Sequence, residues 1–376
     1  MSIDIGKKLN IAMAIGTGAW TGAEQHVLYL ADALAASGHQ VHIVCRHNSP
    51  IEKYASGRYR TLALKMRNAL DVISILQLSL YLRKNKIDIL HSHHNKVGWI
   101  AMFAAKFCKN IPVLNTRHML QIYGKNDRLH RWYYKQLSAI VCPSEAVRKS
   151  FLRYNPGVCK EKVYTVYNGI DTRAMLLGDG KLIRKELDID KDIFLIGFVG
   201  RISADKGVRF LIEALPKLVT KKYHVLLVGS REHDYECILK EIINKLQIEK
   251  KVTFFGQTTR IPEVMNAIDV LVQPSTIMES FGQVSCEAMV CGKAVIATNN
   301  GALGEIVSNG KNGFLINPES SDEVATALNT LIGDRKLLLA IGKAAKTTII
   351  DSFSRECMAR EMESLYYKLI EKRKML

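Results

Sequence analysis

The chain has 376 residues, a length at which one hydrophobic core usually divides into two, and its 48% hydrophobic and 24% charged content excludes a disordered or fibrous protein. Its net charge of +17 is unevenly spread: residues 1–175 hold 25 Lys and Arg against 10 Asp and Glu, a net of +15, and the rest of the chain is nearly neutral. No apolar run approaches a membrane span, "MSIDIGKKLN" lacks the order of a secretory leader, and the 8 scattered cysteines form neither a CxxC pair nor a short disulfide framework, so a reduced, cytoplasmic protein is expected.

From the N-terminus, short apolar runs alternate with helical segments. "LNIAMAIG" reads as a strand ending in glycine. "AEQHVLYLADALAASG" places Val27, Leu30, Ala31 and Leu34 at helical spacing and stops at Gly38. "QVHIVC", "IDILHS", "PVLNT", "AIVCPS" and "KVYTVY" follow as strands, separated by segments long enough for helices. The pattern then restarts. Strands "FLIGFVGR", "YHVLLVGS", "KVTFFG", "AIDVLVQPS", "GKAVIAT" and "GFLINP" alternate with helices "GVRFLIEALPKLV", "YECILKEIINKLQ" and "SSDEVATALNTLIG", the last opening on a Ser320–Glu323 capping box. Such alternation predicts parallel sheets covered on both faces. The reset falls in "DTRAMLLGDGKLIRKELDIDKD", the expected inter-domain linker and its flank. The expected architecture is α/β and doubly wound: an N-terminal Rossmann-like domain over 1–172, a second over 173–352, and a C-terminal helix over 353–376 crossing back to the first. Ligands of such sheets bind outside the C-terminal strand ends, so a cleft between facing strand ends is expected.

Several stretches at predicted strand ends carry chemistry. "GTGAWTGAE" (16–24) opens the first helix, where glycines let backbone N–H groups approach an anion. Its G-x-G-x-x-x-G spacing is one residue longer than the dinucleotide fingerprint, and the second strand ends "VCRHN" without an acid for a ribose hydroxyl, which disfavours a nicotinamide site. Glycines that serve only a tight turn are the plain alternative. In "GFVGRISADKGV", Arg201 and Lys206 fall in a strand-to-helix loop, where they can neutralise a diphosphate; the alternative is two solvated basic side chains.

"MESFGQVSCEAMVCG" sets Glu279 in a loop and Glu287 about two turns into the next helix, with Val284, Ala288 and Cys291 marking the buried side. Carboxylates accept hydrogen bonds from paired hydroxyls, as sugars present them, and Ser280, Phe281 and Gly282 offer backbone N–H groups to a phosphate or sugar oxygen. Spacing alone says little, and two exposed surface glutamates are the alternative. "HSHHN" (91–95) has the look of a metal cluster, but it ends a strand; His93 and His94 fit an acceptor-side lining or plain strand-end hydrogen bonding equally well. "DID" (188–190) lies in the polar linker region and reads as surface.

Taken in order along nearly the whole chain, these segments resemble family 4 of the retaining nucleotide-sugar glycosyltransferases, the group 1 type with the two-Rossmann GT-B architecture. "TGAEQHVLYLADALAASGHQVHIV" resembles that family's Gly-Gly-x-Glu loop and first helix, with Thr21 where the first glycine is usual. "IDILHSHH", "LNTRH", "IVCPSEAVRKSF" and "VYNGID" resemble its later N-domain segments; "GFVGRISADKGVRFLIEAL" and "ESFGQVSCEAMVCGKAVIAT" resemble its two most diagnostic C-domain blocks. The resemblance implies transfer of a sugar from a nucleotide-diphosphate-sugar with retention of anomeric configuration. It implies that Gly22 approaches the diphosphate, Arg201 and Lys206 clamp it in place of a metal, and Glu287 holds the ribose hydroxyls. It also places Glu279 at the transferred sugar, Ser280, Phe281 and Gly282 at the donor, and His118 against the donor sugar. No cofactor and no metal are expected.

The basic first half would then serve the acceptor. "MFAAKFCKN" and "GKNDRLHRWYYKQLS" mix Lys and Arg with aromatic residues as helices on anionic lipid do, so docking on the inner face of the plasma membrane and a glycan or lipid-linked acceptor are expected, as in lipopolysaccharide or other cell-surface polysaccharide synthesis. Core packing is the alternative for Trp132, Tyr133 and Tyr134. The other readings are a basic nucleic-acid-binding protein, against which stand the neutral second half and the lack of any helix-turn-helix, zinc or RNA-recognition signature; a nucleotide-sugar epimerase of the same architecture; and an inactive relative.

Overall fold

A parallel strand flanked by helices on both faces is buried on both, and the interior strands here are buried almost throughout, with polar residues such as His91, Ser92, Asn115 and Thr116 at the C-terminal ends of two of them. The computed structural model describes residues 7–108 and 111–374; Lys109 and Asn110 of the second basic-aromatic stretch lie outside them. The chain divides into two units, Met1–Gly169 with Arg355–Leu376, and Ile170–Ser354.

In the first unit, β1 (Asn10–Ile15), β2 (Gln40–Arg46), β3 (Arg60–Leu64), β4 (Ile89–Ser92), β5 (Val113–Thr116), β6 (Ala139–Cys142) and β7 (Val163–Thr165) form one 7-stranded sheet in the order β3-β2-β1-β4-β5-β6-β7. All pairings are parallel, with Ile11 opposite Val41 on one side and Ile89 on the other. One face buries Leu78, Val97, Ile100, Tyr133 and Phe151. The other packs Val27 and Leu30 of the first helix, Gly22–Ala36, with Met362 and Tyr366 of the last, Arg355–Lys374. In the second unit, β8 (Phe194–Val199), β9 (Tyr223–Val228), β10 (Val252–Gly256), β11 (Val270–Gln273), β12 (Ala294–Thr298) and β13 (Phe314–Ile316) form a 6-stranded parallel sheet in the order β10-β9-β8-β11-β12-β13. Each order reverses next to the first strand of its sheet, between β1 and β4 and between β8 and β11. Open α/β sheets bind ligands at such switch points.

Several local expectations need correcting. β3 was not foreseen: it is an edge strand with half-buried Thr61, Leu62 and Ala63, so it lacks the continuous apolar run of the central strands. The helix expected through "GVRFLIEALPKLV" ends at Ala214 and tightens into a 3-10 turn, Leu215–Lys217, because Pro216 cannot donate to the turn before it. The Ser320–Glu323 box is half formed: Ser320 accepts from the Glu323 amide at 3.2 Å, but the Glu323 carboxylate reaches back past Ser320 to accept from Asn317 instead. The stretch 171–192 contains helices Thr172–Leu176 and Gly180–Glu186, tied to the second unit by an Arg184–Asp269 ion pair at 2.6 Å and an Asn266 bond to Met175 O at 2.9 Å.

The aromatic residues of the basic stretches divide. Tyr133 is 1% and Tyr134 3% exposed and both are core, whereas Phe107 and Trp132, the latter with Lys106 over its ring at 4.7 Å, reach solvent. Helix Val72–Lys84 instead presents Val72, Ile73, Leu76 and Leu80, each more than half exposed, opposite the buried Ile75, Leu78 and Leu82. Among the described residues no helix is long and apolar enough to cross a membrane.

Candidate functional site

In the second unit the loops leaving β8 and β11 meet at the switch point. The Thr276 amide donates to Asp205 O at 3.0 Å. Gly207, at φ +66, runs so close to Pro274 that a Cβ there would stand 1.9 Å from its carbonyl oxygen. This approach brings the loop carrying Arg201 and Lys206 against the loop carrying Glu279. Lys206 Nζ lies 2.7 Å from Glu279 Oε1, with both side chains largely shielded. The same oxygen accepts from Ser275 Oγ at 2.7 Å and Gln273 Nε2 at 3.4 Å, and Ser285 in turn donates to Gln273. Arg201, half exposed, is held 2.9 Å from Asp205 and 2.8 Å from Glu232. Burial pushes the Asp205 carboxyl up, but the Ser203 hydroxyl and the Arg201 and Lys206 charges outweigh it and hold the group below the usual carboxylate range. Both predicted cations are thus present, ordered, and already facing carboxylates.

Helix Gln283–Val290 begins on Gly282, at φ +97, and no side chain caps its first turn. A Cβ at position 282 would stand 2.4 Å from Leu303 Cδ2, so both the backbone angle and the packing demand glycine. Phe281 is buried, its ring 6.1 Å from that of Phe353, which fixes the loop from below; Ser280 beside it is half-buried. Glu287 is 7% exposed and accepts a hydrogen bond from Gln283 Nε2 at 2.9 Å. Burial raises its pKa to about 7, against the opposing effect of that bond. Neither glutamate of the pair is a surface charge. The buried side of the helix was drawn too narrowly: Val284 and Cys291 are only half-buried, while every residue from Ser285 to Val290 is buried, so Glu287 sits in a helix covered almost all round.

In the first unit, Gly22 is the exposed first residue of helix Gly22–Ala36. Thr21 before it is the N-cap and forms a full capping box with Glu24, whose wholly buried carboxylate accepts from the Thr21 amide at 2.8 Å and from the Thr17 and Thr21 hydroxyls. The hydroxyl at position 21 therefore does work that glycine could not. The "HSHHN" run separates into residues with different surroundings. His91 is satisfied at both nitrogens, by Tyr366 and Thr116, each at 2.7 Å. His94 is exposed and caps helix Asn95–Lys106 without a side-chain bond. His93 is buried, and neither of its ring nitrogens has a partner among the described residues. His118, following β5, stacks on it at 5.6 Å between ring centroids.

The third ring of this group, His26 on the first helix, was missed. Its centroid lies 4.9 Å from that of His118 and 5.5 Å from that of His93. The signal was available: His26 precedes Val27 on the buried side of an amphipathic helix, a costly place for an imidazole without a partner. Gln273, Ser275 and Gln283, which orient the two glutamates, were missed because uncharged polar residues at strand ends look like ordinary loop composition.

Residues 20–174 match the family described as Glycosyltransferase Family 4, and residues 179–348 the family described as Glycosyl transferases group 1. The N-acetyl-alpha-D-glucosaminyl L-malate synthase of Bacillus anthracis is 24% identical over 365 residues, 91% of this chain and 92% of that protein. The capsular polysaccharide biosynthesis glycosyltransferase CapM of Staphylococcus aureus is 29% identical over 343 residues, 87% of this chain and 89% of CapM. The crystal structure of Anabaena Alr3699/HepE in complex with UDP superposes with a TM-score of 0.82 at 23% identity, covering 95% of this chain and 99% of that one. That likeness carries the fold, which is GT-B with two Rossmann-like α/β units. With both sheets, their switch-point loops and two adjoining family matches in agreement, the chain belongs to the group 1, family 4 glycosyltransferases.

Proposed function

We propose that the protein moves a sugar from a nucleoside-diphosphate-sugar to a glycan or lipid-linked acceptor, with retention of anomeric configuration and without a metal, in the synthesis of a cell-surface polysaccharide or lipopolysaccharide. The observation that carries this reading is the pair of cations at the β8/β11 switch point. Lys206 is 2.7 Å from Glu279 and Arg201 2.8–2.9 Å from Glu232 and Asp205, beside the uncapped start of helix Gln283–Val290. A diphosphate brings more negative charge than either carboxylate partner and can exchange for it. The barrier to transfer lies in charge building on the departing diphosphate. Preorganised Arg201 and Lys206, with backbone donors of Phe281 and Gly282, stabilise that charge without a proton transfer.

Glu279, oriented through Oε1 by Lys206, Ser275 and Gln273, offers its other oxygen to a sugar hydroxyl. Glu287 accepts from the ribose. Gly22 and His118 of the first unit are assigned to the diphosphate and the donor sugar by the family resemblance. The UDP complex of the Anabaena protein supports a nucleoside diphosphate as the ligand class. The test is thermal denaturation in EDTA with UDP, GDP and ADP and their sugar conjugates. A ligand at a hundred times its dissociation constant adds about 2.7 kcal/mol, so one nucleotide series should raise Tm, and Arg201→Ala and Glu287→Ala should abolish the rise. Product NMR with that donor should show the anomeric configuration kept. No rise with any nucleotide, or an inverted product, overturns the reading.

The acceptor side is read as a docking surface for an anionic bilayer at the cytoplasmic membrane face. Exposed Val72, Ile73, Leu76 and Leu80 lie between the exposed basic Lys65 and Arg67 at one end and Arg83 and Lys84 at the other, the pairing of apolar stripe and flanking cations that inserts into anionic lipid. Flotation with anionic vesicles at low salt should capture the protein, and Ile73→Glu with Leu76→Glu should release it. Equal flotation of that double variant would remove the stripe from the account.

A further inference from the structure

We propose that His26, His93 and His118 form a three-histidine site for a divalent transition metal of the zinc class. One ligand nitrogen from each lies within 4.8 Å of the others. Three imidazoles bound to one tetrahedral ion, with zinc–nitrogen distances of about 2.1 Å, place their ring centroids roughly 5.3 Å apart. The observed separations of 4.9, 5.5 and 5.6 Å bracket that value, so coordination needs the rings to turn rather than the backbone to move.

The chemistry agrees. Both nitrogens of His26 and of His93, and Nε2 of His118, are buried with no hydrogen-bond partner among the described residues, whereas His91, its ring tilted against that of His93 at 4.1 Å between centroids, is fully bonded. Buried polar atoms are nearly always paired, and several orphans aimed into one space call for a missing ligand. The Asn168 side chain approaches His26 as a weak hydrogen-bond partner that favours its protonated form, but the contact lies outside ordinary hydrogen-bond geometry and leaves Asn168 Oδ1 unpaired as well. Burial holds all three imidazoles in the neutral state that binds metal, His26 down to about 4 and His93 and His118 well below their ordinary value. The three come from three places in the fold, the first helix and the ends of β4 and β5, so the first unit must be folded for the site to exist.

The site is not the source of the transfer chemistry proposed above. Because it enlists His118, an ion there should keep the donor sugar from that ring and inhibit; this consequence rests on the proposed function, while metal binding does not.

The test uses the full chain stripped with EDTA and titrated with Co²⁺. The expected result is a visible absorption band of four-coordinate cobalt rising to one equivalent and displaced by Zn²⁺. His26→Gln and His93→Gln should each lose the band, and His94→Gln should keep it. If His26→Gln fails to fold by circular dichroism, His118→Gln, at the less buried corner of the set, takes its place. No band in the wild-type chain, or a band that survives both His26→Gln and His93→Gln, overturns the proposal. In the transfer assay, saturating Zn²⁺ should cost about tenfold or more in kcat/KM for the nucleotide-sugar, reversed by EDTA. Binding of the free nucleotide should be unchanged. A cobalt band with no transfer in EDTA would sink the proposed function and leave the metal site standing.

Discussion

The first unit carries 30 Lys and Arg against 13 Asp and Glu, a net of +17; the second carries 23 against 23 and is neutral. Yet the neutral unit holds the cations to which the proposed function assigns the diphosphate. At its switch point Arg201 and Lys206 are matched by Asp205, Glu232 and Glu279, so positive charge is held in counter-balanced form; on the proposed function a stronger anion exchanges for those carboxylates. At the corresponding point of the basic unit the buried groups are neutral histidines and the capping-box carboxylate of Glu24. Net charge therefore says little about where chemistry occurs. In the second unit it hides a site, and in the first it reports an outer surface rather than the switch point.

The sharpest way to break this contrast is to remove one stored charge. Lys206→Ala should lower kcat/KM about 100- to 1000-fold, the scale for a lost preorganised donor at a developing anion, while Glu279 keeps Ser275 and Gln273 and the fold survives. Steady-state kinetics with a saturating acceptor measures it. A loss below tenfold would mean that the ion pair is structural and that the diphosphate sits elsewhere. Next in size is a test that the histidines of the first unit differ from one another. Tyr366→Phe deletes the partner of His91 Nδ1 and leaves a buried nitrogen unpaired, which should cost about 1–3 kcal/mol of stability. Chemical denaturation should show the loss, and nucleotide binding by the second unit should be untouched. An unchanged midpoint would put His91 in the same class as His93.

The two units also differed in how much of them could be read from residues alone. β1, β8 and β11 are mainly apolar runs and β4 opens on Ile89 and Leu90, and their ends locate both switch points, so the fold and the placement of Arg201, Lys206, Glu279 and Glu287 were legible. What the pattern could not carry was pairing across sequence distance. Nothing in "GRISADKGV" and "LVQPSTIMES" says that Lys206 and Glu279, 73 residues apart, share a hydrogen bond; that follows from Gly207 passing against Pro274. Nor does "AEQHVL" announce that His26 will meet two rings from other strands. Two aromatic residues of "HRWYYKQ" were ambiguous for a related reason. A helix with cations on one side and tyrosines on the other fits lipid and fits a sheet equally well, and burial settles Tyr133 and Tyr134 for the sheet while Trp132 stays partly exposed. The exposed apolar stripe of Val72–Lys84 went unnoticed because apolar residues on both faces of a helix read as an ordinary buried one.

The last prediction concerns protonation and isolates the second unit. Glu287 has its pKa raised from 4.5 to about 7, chiefly by burial. The folded chain therefore keeps a proton that the unfolded chain has released between those two values. Stability from this group is fully present below the unfolded pKa and is lost as pH rises through the folded one, by about 3 kcal/mol across the window at roughly 1.4 kcal/mol per pH unit. Nucleotide binding should run the other way. Ribose hydroxyls donate to a carboxylate far better than to a neutral carboxyl, so the ligand must expel that proton, and its affinity should be about tenfold weaker at pH 6 than at pH 8 and level above pH 8. A nucleotide-sugar is the right probe, because its diphosphate ester does not titrate in this range. Calorimetry on the wild type and on Glu287→Gln separates the outcomes. The variant should bind more weakly but with no slope between pH 6 and 8, and its stability should be flatter with pH than that of the wild type. If wild type and variant share one slope, the titrating group lies outside the second unit's helix and the assignment of Glu287 to the ribose falls, while the role of Lys206 is left as it was.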